Sequence, residues 1–295
     1  MRYRDAAAFR QALEQRLRAR AAGDGARLAR DRKRVAFDRL LARLKETASG
    51  RWLLKGGFAL DLRLAEHARA TRDVDIDWPA AEEELFDALI EAAALRTEDH
   101  FTVQVERTGT PPERLGGSHR FRVTAILADR LFETFLLDVG LRSDSVAEHD
   151  TLMTPDLLAF ADIDPVEIPA VPLERHIAEK LHAYTHRYAD DRPSSRAKDL
   201  IDIVLMSELA SFEFERLRDV IVRLFEARAT HELPASVPAP PREWAQPYRA
   251  LAEEVGLDPE LSDGHGLAAA FLDPVLSADS GFVRWDGDAH EWRRS

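Results

Sequence analysis

Apolar residues recur at Phe9, Leu13 and Leu17, and again at Val35, Leu40, Leu41 and Leu44. This is the spacing of one helix face, so the first fifty residues read as two amphipathic helices broken at "AGDGA". "RWLLK" is a short apolar run stopped by Gly56-Gly57, and "FALDLRLAEHA" then returns to helical spacing, giving strand, glycine turn and helix. "RDVDIDW" alternates charged with apolar residues and ends at Pro79, the pattern of a half-buried strand. After the helix "AAEEELFDALIEAAAL", strands are expected at "FTVQVERTG", "HRFRVTAILA" and "RLFETFLLDVGL", the first two around the turn-rich "TGTPPERLGGS". Residues 51 to about 142 therefore read as a mixed α/β sheet unit.

From "PLERHIAEKLHAYTHRY" onward the period is helical. Leu173, Ile177, Leu181, Tyr184 and Tyr188 form the expected buried stripe, with His176, Lys180, Ala183 and Arg187 beside it. Helices follow at "SSRAKDLIDIVLMSEL", started by Pro193 and Ser194-Ser195, at "FEFERLRDVIVRLFEARA" and at "PYRALAEEVGL". The Pro-rich "LPASVPAPPREW" is expected to cross the surface between the last two. The expected fold class is α+β and bilobed, a mixed β-sheet with helices followed by a helical C-terminal lobe. The boundaries are a helical arm over 1–50, a sheet domain over 51–165 and a helical lobe over 166–295.

At 295 residues the chain can bury two modest cores. It has no cysteine, which removes disulfides and thiolate metal sites. Its start is too charged for a signal peptide and no apolar run reaches a membrane span, so a cytoplasmic protein is the expectation. The net charge of −12 argues against a general nucleic-acid binder. That charge is uneven: residues 1–50 hold fourteen Lys/Arg and six Asp/Glu, or +8, leaving −20 for the rest. The arm is either a guide for a polyanion or, more simply, a solvated face.

Residues two apart in a strand share a face, so Asp73, Asp75 and Asp77 form one carboxylate row. A cation relieves the repulsion within such a row, and oxygen ligands suit Mg²⁺ or Mn²⁺; the bland alternative is a wet acidic face. The Gly56-Gly57 turn shifts the balance, because glycine admits a close ligand and the following helix start offers free N–H groups to phosphate. On parity Asp138 shares a face with Phe132, Thr134 and Leu136, half-buried and in need of a partner or metal. A phosphate seat plus three acids reads as nucleotidyl transfer. Lys180 is placed to contact a triphosphate, and Asp199 and Asp202 share a helix face, where salt bridging such as Lys198 with Asp202 is the plain alternative. His182 and His186 are spaced for a metal, but the glutamate of H-E-x-x-H is missing.

"LKGGFALDLRL", "RATRDVDIDW", the acid in "LLDVG", "ERHIAEKLHAY" and "RAKDLIDIVLM", in this order from Leu53 to Met206, resemble the AbiEii/AbiGii nucleotidyltransferase-like toxins of the polymerase-β-type superfamily. The resemblance implies a nucleotidyltransferase sheet domain and a helical lobe. It implies nucleotide phosphate at Gly56 and Gly57 with Lys55 alongside, and Arg72 as a supporting contact. Metal would sit on Asp75 and Asp77, with Asp138 as the third acid and Asp73 outside the pair. Lys180 matches the family's helical lysine and Asp199 its aspartate, with Asp202 close by. Mg²⁺ or Mn²⁺, an NTP substrate, a tRNA acceptor end and an AbiEi-type antitoxin encoded nearby are the implied cofactor and partners. Two other readings keep the pocket: a small-molecule nucleotidyltransferase of the antibiotic type, and a nucleotide-binding protein without catalysis.

Overall fold

The computed structural model describes residues 2–79, 81–109, 118–141, 148–186, 196–278 and 281–294. Arg187, Tyr188, Pro193, the Ser194-Ser195 pair and most of the turn after "FTVQVERTG" lie outside the described residues. Two compact units are present, residues 1–62 with 70–171, and residues 63–69 with 172–295. Among the described residues there are nine α-helices and a seven-stranded mixed sheet.

In the first unit, Asp5 caps α1 (Ala6–Ala21) and Asp24 caps α2 (Gly25–Thr47), each carboxylate accepting backbone N–H groups of the first turn. The break at "AGDGA" is as expected, although the Asp24 cap starts the second helix well before its apolar stripe begins. Strands β1 (Leu53–Lys55), β2 (Asp73–Trp78), β3 (Phe101–Arg107), β4 (Ser118–Leu127), β5 (Arg130–Leu141), β6 (Asp150–Met153) and β7 (Glu167–Ala170) line up as β3-β4-β5-β2-β1-β7-β6. β2 runs parallel to β5 and antiparallel to β1. Helix α3 (Gly56–Leu64) leaves β1 directly, and α4 (Glu82–Ala94) follows β2. Phe37 of α2 meets Phe58 and Phe135 edge-on, at ring separations of 4.9 and 4.7 Å, which fixes the start of α3 against the sheet core.

The parity expected along β5 fails at one point. A bulge lies opposite Ala125 and Ile126, whose partners are Glu133 and Leu131, so Phe132 is the extra residue. Phe132 therefore joins Phe135 and Leu137 in the core, while Thr134, Leu136 and Asp138 stay on the other face.

The basic arm is also not a plain solvated face. Arg34, Arg39 and Arg43 are buried. Arg34 and Arg30 fork onto Asp61, Arg43 binds Asp99 at 3.0 Å, and Arg39 contacts Asp38 and Asp99. These arginines tie α2 to the rest of its own unit, so much of the arm's positive charge is neutralised internally.

The second unit contains α5 (Leu173–Thr185), α6 (Ala197–Leu209), α7 (Phe214–Arg228), α8 (Ala245–Val255) and α9 (Leu261–Ser277). It also holds a hairpin that the sequence reading did not anticipate, β8 (Phe282–Asp286) with β9 (Glu291–Arg294). Trp285 and Trp292 pin it by packing on Phe271, and their indole N–H groups donate to the carbonyls of Ser207 and Phe271.

Candidate active site

In the first unit the glycine turn and the acid row are neighbours. Gly56 has φ +65°, and a Cβ built on it would lie 2.1 Å from Asp75 Oδ2. Only glycine allows both that backbone and that carboxylate position. A Gly56→Ala variant is expected to lose about 1–2 kcal/mol from the left-handed conformation alone and to push Asp75 aside. Urea unfolding checks the first effect, and NTP turnover, falling further than the stability loss explains, checks the second.

Asp75 stands directly opposite Lys55 on one side and Asp138 on the other, and Asp138 stands opposite Arg120. Four adjacent strands thus carry lysine, aspartate, aspartate and arginine in one row. Lys55 Nζ lies 2.5 Å from Asp77 Oδ1, and Gly140, opposite Asp77, leaves space for this pair. Arg120 donates Nε to Asp138 Oδ1 at 2.6 Å and Nη2 to Oδ2 at 2.7 Å. This bidentate hydrogen bond, with Asp73 and Asp75 nearby, raises the Arg120 pKa further above its ordinary value. Arg72, just ahead of β2, is exposed.

The donor set suits a hard divalent cation, since all three expected ligands are carboxylates and two are direct cross-strand neighbours. Among the described residues no group of three or more His, Cys, Asp or Glu side chains is gathered so as to hold a metal ion. As placed, Asp77 and Asp138 face Lys55 and Arg120.

In the second unit Lys180, Asp199 and Asp202 converge. Lys180 Nζ is 2.7 Å from Asp202 Oδ2 and 3.2 Å from Asp199 Oδ1. Arg69 forks onto Asp202 at 2.8 and 2.9 Å, and Arg196 reaches Asp199 at 3.1 Å. Both aspartates are buried, so this is an interior network, and Asp202 pairs with Lys180 and Arg69 where a surface bridge to Lys198 had been the plain alternative. Burial opposes the charge on Asp202, yet Lys180 and Arg69 hold its carboxyl well below the usual range. Burial likewise works against the Lys180 ammonium, but Asp202 and Asp199 push its pKa up overall.

Two histidines on α5 are held neutral. His176 is brought down to about 3 by burial, with Lys180 and Arg63 adding to it. His182 falls to about 3 through burial and the Arg228 guanidinium. Arg228 donates to His182 Nδ1 at 3.1 Å, so Nε2 carries the proton and donates to Thr230 Oγ1 at 2.8 Å. His186 and His231 flank a cavity of about 350 Å³ with Thr185 and Thr230. Because the two lowered groups bind protons in the unfolded chain first, the stability they confer is complete above about pH 6.5 and is lost as pH falls toward 3. Each is expected to contribute up to about 1.4 kcal/mol per pH unit in that window. Urea midpoints between pH 7 and 4.5 measure the slope, and His182→Gln should flatten it.

Arg120, Arg69 and Gly140 escaped the sequence reading. Alternation places Arg120 on the polar face of its strand, but its partnership with Asp138 depends on register, which one sequence does not supply. Arg69 lies within the "RATRDVDIDW" stretch, without a signal of its own.

The model of a family described as nucleotidyl transferase AbiEii toxin, type IV toxin–antitoxin system, matches residues 39–273. The chain belongs to this family. As an AbiEii-family protein it is a nucleotidyltransferase toxin, and the family implies an NTP substrate and an antitoxin partner. Its fold is similar to that of MenT4, a nucleotidyltransferase toxin from Mycobacterium tuberculosis H37Rv, with a TM-score of 0.56 at 17% identity over 90% of this chain and 98% of that one. JHP933 from Helicobacter pylori aligns with a TM-score of 0.48 at 16% identity over 84% and 95%. No curated protein matches in sequence. No helix among the described residues is long and apolar enough to cross a membrane.

Proposed function

We propose that this AbiEii-family chain is a metal-dependent nucleotidyltransferase that moves an NMP from an NTP to the acceptor end of tRNA. The observation that carries the reading is the contact of Gly56 with Asp75, itself paired in register with Asp138. A glycine helix start and two cross-strand carboxylates thereby occupy one place. Asp75, Asp77 and Asp138 would hold Mg²⁺ or Mn²⁺, which when bound supplies charge neutralisation for a phosphoryl transfer.

The chain's own residues do the rest. Gly56 and Gly57 admit the phosphates to the N–H groups at the start of α3, where the helix dipole favours negative charge. Lys55 and Arg72 add positive charge at that end. Lys180, held by Asp199 and Asp202, matches the family's helical lysine, and a cationic role toward the nucleotide is part of this reading. The acceptor hydroxyl gives its proton to solvent as its oxygen bonds to the α-phosphorus and the bond to the pyrophosphate oxygen breaks, so that pyrophosphate leaves. An AbiEi-type protein is the antitoxin in this reading.

The test is an assay of purified protein with each labelled NTP against total RNA, tRNA, protein and aminoglycosides. Label at the tRNA end is the expected result. Label on an aminoglycoside alone would replace the acceptor with a small molecule, and nucleotide binding without pyrophosphate release would remove catalysis from the assignment.

A further inference from the structure

Asp75 and Asp138 face each other across neighbouring strands that lie about 4.8 Å apart. Like charges directly opposite one another destabilise a sheet, so this pair needs positive charge nearby. The row provides it at both ends, Lys55 beside Asp75 and Arg120 beside Asp138. The two ends are not equivalent. Lys55 offers a single point charge and reaches to Asp77. Arg120 engages both oxygens of Asp138 in a fork, which is stronger and more directional than a single point-charge contact. A divalent cation coming to Asp138 meets a carboxylate whose two oxygens already accept hydrogen bonds from a guanidinium.

We propose that Arg120 is the internal counter-ion of the metal site, competing with the divalent cation for Asp138 and so setting the cation concentration at which the site loads. This rests on the assignment of Asp75, Asp77 and Asp138 as metal ligands made above. Exposure supports the exchange: the Arg120 side chain is 30% exposed against 17% for Asp138. The guanidinium can therefore swing toward water while the carboxylate stays in place, and its departure leaves no buried, unsolvated cation. Arg120 acts through Asp138 and is a positioning residue in this scheme.

The experiment is a Mn²⁺ titration of the full chain, with free Mn²⁺ read from its solution EPR signal and no nucleotide present. Arg120→Gln removes the competitor and is expected to tighten Mn²⁺ binding by about tenfold, the effect of one charge removed at this range. Arg120→Lys keeps the charge but loses the fork, so its affinity should fall between the two and serves if the glutamine variant does not fold. Asp138→Asn should weaken binding, and Arg120→Gln added to it should then tighten binding by less than it does in the parent chain. Tight Mn²⁺ binding that depends on Asp75 and is unchanged or weakened in folded Arg120 variants would overturn the competition alone. Binding indifferent to Asp75→Asn and Asp77→Asn would overturn the metal assignment itself, and this inference with it.

Discussion

Replacement of Asp75 or Asp77 by alanine is expected to reduce nucleotidyl transfer by about 10²- to 10³-fold, the scale on which loss of one preorganised electrostatic group in a transition state is felt. The two residues differ in setting. Asp75 leans on Gly56 and faces Asp138, whereas Asp77 is buried and paired with Lys55. Alanine at 77 therefore also takes a buried carboxylate from beside a partly buried ammonium, so its unfolding curve should shift more than that of the Asp75 variant. Transfer of label from NTP, measured beside circular dichroism and urea unfolding, separates lost chemistry from lost structure. A folded double variant that still transfers label at the parent rate would refute the assignment of the acid row.

The second large effect is structural. Asp202→Ala is expected to destabilise the second unit by about 3–5 kcal/mol, the usual cost of removing one partner from a buried charge network. Asp202 is fully buried and is shared by Lys180 and by both arms of the Arg69 fork. Without it, Arg69 loses its forked partner and, among the described residues, Lys180 keeps Asp199. Chemical denaturation followed by tryptophan fluorescence is suited to the measurement, because Trp285 and Trp292 lie in the core of the same unit. A change below about 1 kcal/mol, the size of a surface pair, would show that the network carries little of the unit's stability.

Most long helices were legible because their apolar residues repeat at the helix period; α9, seventeen residues long with Pro274 inside it, was not. The strands around the acid row were legible through alternation, and Gly56 through its place between a strand and a helix. Short elements were not. β6 and β7 have four residues each, too few for a period to show. The hairpin of β8 and β9 looks charged and exposed, and only the packing of its two tryptophans against Phe271 accounts for it. Phe132 misled because a bulge reverses the parity of everything before it in the strand. Arg69 and Arg120 were silent because their partners lie 133 and 18 residues away in sequence.

The arginines of α2 bear on how this protein would hold a polyanion. Arg30, Arg34, Arg39 and Arg43 each face an aspartate within the fold, so they are not available to neutralise phosphates and release the cations condensed on a nucleic acid. An RNA acceptor bound to this chain would then release fewer ions than fourteen basic residues over 1–50 suggest, and its affinity would decline less steeply between low and physiological salt. Recognition of that kind leans on the shape and chemistry of the strand end, and little on the length of the charged backbone behind it.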